Sequence, residues 1–138
     1  MRSAVLLCST LLTSVLCVAQ EGGQAPAEGT VPAMKDMAPA ELSEMIGSNT
    51  VIVYDCNEAD TYEWAHVPGA ILTVYDEVTA EKLPADHSAA IVFYCYSPEC
   101  PAAGMAARTA VELGYTNVRY MSAGITGWQD AGLPTEPK

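Results

Sequence analysis

Residues 89–104 read AAIVFYCYSPECPAAG, and this stretch decides the fold. A continuous apolar run, Ala89–Tyr94, has the length of a strand that is buried on both faces of a sheet. After six intervening residues, Pro101 opens an alanine-rich segment, and proline suits the first turn of a helix. The helix is predicted to run over Pro101–Leu113 and to end at Gly114. A strand that leads within one short loop into a helix predicts an α/β unit.

The same alternation extends outward in both directions along the 138-residue chain. Short β-rich runs alternate with segments of helical spacing, which predicts one α/β domain with a mainly parallel sheet. The further predicted strands are 51–54 and 117–121, with a short apolar run at 70–72. The further predicted helices are 39–46 and 124–131, with brief helical turns at 59–64 and 79–83.

This fold class places three cysteines at one edge of the sheet. Ligands of open parallel sheets collect beyond the carboxyl ends of the strands, where the helices begin. Cys56 and Cys95 each follow a predicted strand, and Cys100 lies at the start of a predicted helix. We therefore expect the three thiols to share one rim.

Cys95 is the candidate nucleophile of this rim. A loop that curls from a strand into a helix turns backbone N–H groups inward, and the helix adds the positive end of its dipole. Both features stabilise a thiolate, or the terminal anion of a persulfide. The alternative interpretation is that Cys95 packs as a small apolar residue or forms a structural disulfide bond.

The N-terminus has the pattern of an export signal. Arg2 precedes an uncharged apolar stretch, and small residues at Cys17 and Ala19 suit cleavage after residue 19. A membrane-spanning helix is the weaker alternative, because the stretch is shorter than the roughly 20 residues that a bilayer requires. We expect a signal peptide over 1–19, a flexible lead-in over 20–32, and a domain over 33–138. The mature protein is then periplasmic or secreted, with no membrane association.

The net charge and the cysteine count argue against several kinds of ligand. The chain has 17 acidic and 6 basic residues, for a net charge of −11, which argues against binding to nucleic acid or anionic membranes. Signal cleavage leaves Cys56, Cys95 and Cys100 in an oxidising compartment, and the natural count is one pair and one spare thiol. A C-x4-C spacing without a second ligand pair is a poor metal site. We expect neither a metal nor a cofactor.

Four segments together resemble the rhodanese-like sulfurtransferase family, over about residues 31–134. They are Val53-Tyr54-Asp55 with Tyr62 and His66-Val67-Pro68-Gly69-Ala70; Tyr94-Cys95; Ala106-Ala107 with Leu113-Gly114-Tyr115-Thr116-Asn117-Val118; and Gly124-Ile125, Trp128 and Ala131-Gly132-Leu133-Pro134. The resemblance implies a five-stranded parallel sheet flanked by helices on both faces. It also implies sulfane-sulfur transfer, in which Cys95 takes sulfur from a donor such as thiosulfate, holds it as a persulfide, and passes it to a thiol or cyanide.

The resemblance further implies that the loop after Cys95 cradles the substrate. Its residues are Tyr96, Ser97, Pro98, Glu99 and Cys100. Family loops often carry arginine and glycine here, and this loop has neither. Glu99 opposes an anion such as thiosulfate, so a thiol or polysulfide suits the site better. The related cysteine-based phosphatases end this loop with an arginine where Pro101 stands, which argues against phosphate chemistry.

Three roles for Cys100 are consistent with the sequence. It could resolve a Cys95 persulfide, protect Cys95 by a reversible disulfide bond, or form a static structural bridge. The first two favour a sulfurtransferase, or a thiol–disulfide oxidoreductase with a possible redox partner protein. The third favours a non-catalytic binding module. Cys56 is expected to be a buried small side chain.

Other residues near these motifs are expected to be structural. Asp55 should anchor local backbone or a basic partner, and His66 should hydrogen-bond as a scaffold residue and not as a catalyst. Trp64 and Trp128 are predicted to anchor the core. The acidic pair at 76–77 is predicted to be solvated surface.

Overall fold

The computed structural model describes residues 34–137. The expected signal peptide over 1–19 and lead-in over 20–32 lie outside these residues. The described chain forms five strands and four helices. In chain order these are β1 (Lys35–Asp36), α1 (Pro39–Gly47), β2 (Ile52–Asp55), α2 (Ala59–Trp64), β3 (Ile71–Leu72), β4 (Ile91–Tyr94), α3 (Ala102–Glu112), β5 (Val118–Met121) and α4 (Gly124–Asp130).

The strands form one five-stranded sheet in the order β1-β5-β4-β2-β3, and every pairing is parallel. The strand β4 lies at the centre, and all four of its residues are buried. This agrees with the continuous apolar run from which it was predicted. The fold class expected from the sequence is confirmed. The edge strand β1 was not predicted, because its two residues are exposed and carry no apolar signal.

Two apolar clusters cover the two faces of the sheet. Side chains alternate along β4, so that Ile91 and Phe93 pack with the alanines of α3 while Val92 and Tyr94 pack on the opposite side. That opposite side contains Leu42 of α1 and Trp128 of α4. The helices therefore flank the sheet on both faces.

The helix α3 packs on the face of the sheet that contains Ile91 and Phe93. Five of its alanines are buried against the sheet: Ala102, Ala103, Ala106, Ala107 and Ala110. Their small side chains let the helix lie close to β4 and β5. The helix ends before Gly114, whose φ of 95° suits the left-handed stop that was expected. Within residues 34–137, no helix is long and apolar enough to cross a membrane.

The segment 79–83, expected to be a helical turn, contains a single turn in which the Lys82 N–H donates to the Thr79 carbonyl at 3.1 Å. One sequence-based expectation is wrong. Trp64 is not a core anchor, because 66% of it is exposed at the end of α2. Trp128 is 1% exposed, as expected, and its Nε1–H donates to the Pro134 carbonyl at 2.8 Å.

Candidate functional site

The three cysteines meet at the carboxyl edge of the sheet. The strands β2 and β4 are neighbours, and Asp55 pairs with Tyr94 at their last position. Cys56 and Cys95 are the next residues of the two strands, and the Cys56 N–H donates to the Tyr94 carbonyl at 2.8 Å. Cys100 lies two residues before α3. The prediction that the thiols share one rim is confirmed.

Cys95 and Cys100 form a disulfide bond, with their Cα atoms 6.3 Å apart. The sequence left this pairing open. Cys95 is 5% exposed, whereas Cys100 is partly exposed. Cys56 is a free thiol. The described part of the chain thus has the predicted one pair and one spare thiol.

The disulfide bond lines an open cleft of about 460 Å³. The cleft is bounded by the ends of β2 and β4, by α2 and by the first turns of α3. Its lining includes all three cysteines, with Glu58, Tyr96 and Met105. Among the described residues that line it, none is a lysine or an arginine. The cleft therefore offers sulfur atoms and an acidic side chain, and no cationic side chain for an anion.

The loop between Cys95 and Cys100 is held by its own hydrogen bonds. The Ser97 hydroxyl donates to Glu99 Oε2 at 2.6 Å, and the Cys100 N–H donates to the Ser97 carbonyl at 3.0 Å. The bond from Ser97 lowers the pKa of the exposed Glu99 carboxyl, so this residue stays charged. Pro98 has no N–H. The Cys100 N–H is already used within the loop.

The start of α4 fixes the other side of the loop. The Ile125 N–H donates to the Cys95 carbonyl at 2.9 Å, and the Thr126 N–H donates to the Tyr96 carbonyl at 3.0 Å. Gly124 has a φ of 65°, and a Cβ at this position would lie 2.4 Å from the Tyr96 carbonyl carbon and oxygen. Only glycine fits here. Reasoning from the sequence missed this contact.

A buried hydrogen-bond network supports the residue that precedes Cys95. The Tyr94 hydroxyl donates to Asp55 Oδ2 and accepts from the Val67 N–H, the latter at 3.0 Å. Asp55 Oδ1 accepts from the Asn57 N–H at 2.8 Å. Burial raises the pKa of the Asp55 carboxyl, although these hydrogen bonds oppose that rise. Asp55 anchors local backbone, as predicted.

His66 is a scaffold residue, as expected. Its ring stacks on the Tyr62 ring with centroids 4.0 Å apart, and its Nδ1–H donates to the Tyr62 carbonyl at 2.8 Å. Its backbone pairs with Glu136 through two hydrogen bonds, of 3.0 and 2.9 Å. His66 is 5% exposed and does not line the cleft.

Cys56 is buried, as predicted, with 8% of the residue exposed. Burial, followed by the negative charge of Asp55, raises the pKa of its thiol to about 12. Cys56 is therefore protonated at neutral pH. Within residues 34–137, no group of three or more His, Cys, Asp or Glu side chains is arranged to hold a metal ion.

The fold agrees with a comparison against known families. Residues 38–131 match the model of the rhodanese-like domain, and the chain belongs to this family. The match covers every element from α1 to α4.

Individual relatives align with about three quarters of this chain. The thiosulfate sulfurtransferase GlpE of Haemophilus influenzae is 31% identical over 107 residues, which cover 74% of this chain and 94% of that protein. GlpE of Actinobacillus succinogenes is 25% identical over 108 residues, which cover 75% of this chain and 92% of that protein.

Solved structures share the fold. The BH2092 protein of Bacillus halodurans superposes with a TM-score of 0.67 at 27% identity, over 74% of this chain and 76% of that one. A thiosulfate sulfurtransferase of Pseudomonas aeruginosa gives 0.66 at 27% identity, over 77% of this chain but only 20% of that one.

Proposed function

We propose that the protein is a sulfurtransferase that carries sulfane sulfur as a persulfide on Cys95. The reduced Cys95 thiolate would attack the outer sulfur of a donor, release the remainder of the donor, and keep the transferred atom. An acceptor thiolate would then attack that terminal sulfur, leaving Cys95 as a thiolate and the acceptor as a persulfide. Atoms and electrons balance in both steps without a cofactor.

The observation that carries this proposal is the position of Cys95. Cys95 lines an open cleft directly after the end of β4, and α3 starts seven residues later along the chain. A helix start places a partial positive charge next to such a thiolate or persulfide anion. Relatives at 25–31% identity are named thiosulfate sulfurtransferases, which supports the same chemistry.

The charge of the cleft favours a sulfane-sulfur donor with at most one negative charge, such as an organic persulfide, over thiosulfate. Glu58 lines the cleft, and Glu99 is exposed in the loop with a lowered pKa. A doubly charged anion meets two carboxylates here, and no described residue of the lining supplies a compensating cation. Tyr96 and Met105, 48% and 49% exposed, add apolar surface suited to a thiol-bearing organic molecule or peptide.

The disulfide bond must be reduced before Cys95 can accept sulfur. Cys100 is the more accessible sulfur, so an external thiol would attack it first and release Cys95 as the leaving thiolate. The bond then acts as a reversible cap that protects Cys95 from over-oxidation. Such a cap suits a protein exported to an oxidising compartment.

Turnover with matched variants tests the proposal. Pre-reduced protein is given an organic persulfide, polysulfide or thiosulfate as donor, and cyanide or a small thiol as acceptor. We expect transfer by the wild type, no transfer by Cys95→Ser, and retained transfer by Cys100→Ser. We also expect a higher kcat/KM for an organic persulfide than for thiosulfate, because only thiosulfate brings two negative charges to the acidic cleft. Transfer by Cys95→Ser at the wild-type rate would contradict the proposal.

The Cys95–Cys100 disulfide bond also favours a second function, that of a thiol–disulfide oxidoreductase. This enzyme would cycle the two cysteines between dithiol and disulfide without carrying sulfur. It predicts reduction of insulin by the dithiol form, loss of that activity in Cys100→Ser, and no sulfur transfer to cyanide. The opposite behaviour of Cys100→Ser in the two assays separates the two functions.

A further inference from the structure

Cys56 and Cys95 occupy equivalent positions on neighbouring parallel strands. The register pairs Tyr54 with Phe93 and Asp55 with Tyr94, so the two cysteines are the next pair along β2 and β4. The Cys56 N–H bonded to the Tyr94 carbonyl continues the ladder to this point. Paired strands lie about 4.8 Å apart. Disulfide bonds join Cα atoms about 4.4–6.8 Å apart, so the backbone spacing suits a bond between the two.

The two side chains also lie on the same face of the sheet. Side chains alternate along a strand, and the Tyr54 and Phe93 rings stack with centroids 5.2 Å apart on the face of α3. Cys56 and Cys95 follow them by two residues and belong to the same apolar cluster. Cys95 Sγ lies 3.9 Å from the Cys56 carbonyl oxygen. Both cysteines line the same cleft.

We propose that Cys56 is a second disulfide partner of Cys95, which exchanges with Cys100 or with an external thiol. The Cys56 thiolate would attack Cys95 Sγ, the bond from Cys95 to Cys100 would break, and Cys100 would leave as a thiolate. The proton lost by Cys56 is taken up by Cys100. The exchange is an isomerisation, so it requires no added oxidant or reductant. When an external thiol is bound to Cys95, the same attack releases that thiol instead.

The environment of Cys56 explains why Cys95 is paired with Cys100 in the structure. Burial holds the Cys56 thiol in its protonated form, and only the thiolate attacks a disulfide bond efficiently. Cys100 is partly exposed and closer to the helix start. Cys56 therefore competes less well than Cys100 for Cys95, and its attack releases an external thiol that is attached to Cys95. This inference does not depend on the proposed sulfur transfer.

Peptide mapping of the full chain tests the exchange directly. Trypsin cleaves after Lys35, Lys82 and Arg108, so Cys56 falls in peptide 36–82, while Cys95 and Cys100 share peptide 83–108. Cys8 and Cys17 fall in a third peptide, 3–35. A bond from Cys56 to Cys95 thus joins two tryptic peptides, whereas the Cys95–Cys100 bond lies within one.

Reduced Cys100→Ser protein is treated with oxidised glutathione, quenched with acid and mapped without reductant. We expect peptides 36–82 and 83–108 to be joined in most molecules, with glutathione released. The control is Cys56→Ala in the same background, which should keep one glutathione on peptide 83–108. Cys100→Ala serves as a second variant, so that a folding defect of one substitution does not decide the result. A persistent glutathione adduct with Cys56 free, or no reaction at Cys95, would overturn the proposal.

Discussion

The contact between Gly124 and the loop after Cys95 predicts that Gly124→Ala lowers both the stability and the activity of the protein. The added Cβ would lie 2.4 Å from the Tyr96 carbonyl and 2.6 Å from the Ser97 nitrogen. Both contacts are with backbone, so no side chain can rotate away. The loop or the start of α4 must move, and with it the hydrogen bonds that hold the Cys95 and Tyr96 carbonyls.

Two effects of Gly124→Ala lower the free energy of unfolding: the backbone conformation of residue 124 and the displacement of packed backbone. A φ of 65° costs an alanine about 1–2 kcal/mol relative to glycine. Displacing packed backbone adds about 1–3 kcal/mol, by analogy with overpacked cores. Gly124→Ala should therefore lower the free energy of unfolding by about 2–5 kcal/mol. Gly132→Ala is the matched control, because Gly132 has a φ of 70° at the other end of α4 and no atom near its added Cβ.

Urea unfolding and sulfur transfer are measured for both variants. Gly132→Ala should lose only the stability that the positive φ costs an alanine, and it should keep its activity after reduction. Gly124→Ala should lose more stability, and its transfer rate should fall ~10–100-fold, because a shift of about 1 Å at a reacting group has that effect. Equal losses of stability and equal rates in the two variants would refute the idea that Gly124 positions the loop.

Three further predictions follow from the buried network, the tryptophans and the loop charge. Tyr94→Phe removes the donor to Asp55, so we expect about 2–4 kcal/mol lower stability by urea unfolding at pH 7; no change would contradict the network. Trp128→Ala should cost about 3–5 kcal/mol and Trp64→Ala less than about 0.5 kcal/mol in the same assay, and comparable losses would contradict their burial. Glu99→Gln should raise kcat/KM for thiosulfate about two- to fivefold at low salt, with the gain lost at high salt; a salt-independent gain would argue against a charge effect.

The central strand, its cysteine and the following helix were predictable from the sequence because their signals are local. The apolar run before Cys95, the proline at residue 101 and the glycine at 114 each report on backbone within a few residues. The rim of three cysteines followed from the general topology of parallel sheets. The burial of Cys56 followed from residue type.

The remaining features depend on contacts between distant segments. The strand β1 is held by its pairing with β5, which starts more than eighty residues later, and its own residues are exposed. The exposure of Trp64 depends on which side of a six-residue helix faces the sheet, and aromatic character does not report that. The close approach of Gly124 to the Tyr96 backbone joins two segments that lie far apart in sequence. The pairing of Cys95 with Cys100 was one of several that the count allowed.

The most direct test of the central proposal is to locate the transferred sulfur. Reduced full-length protein is treated with polysulfide, the persulfide is alkylated, and the tryptic peptides are weighed. We predict the mass of one added sulfur atom on Cys95 of peptide 83–108, kept in Cys100→Ser and absent in Cys95→Ser. Sulfur found only on Cys100, or on no cysteine of the reduced wild type, would contradict the proposal.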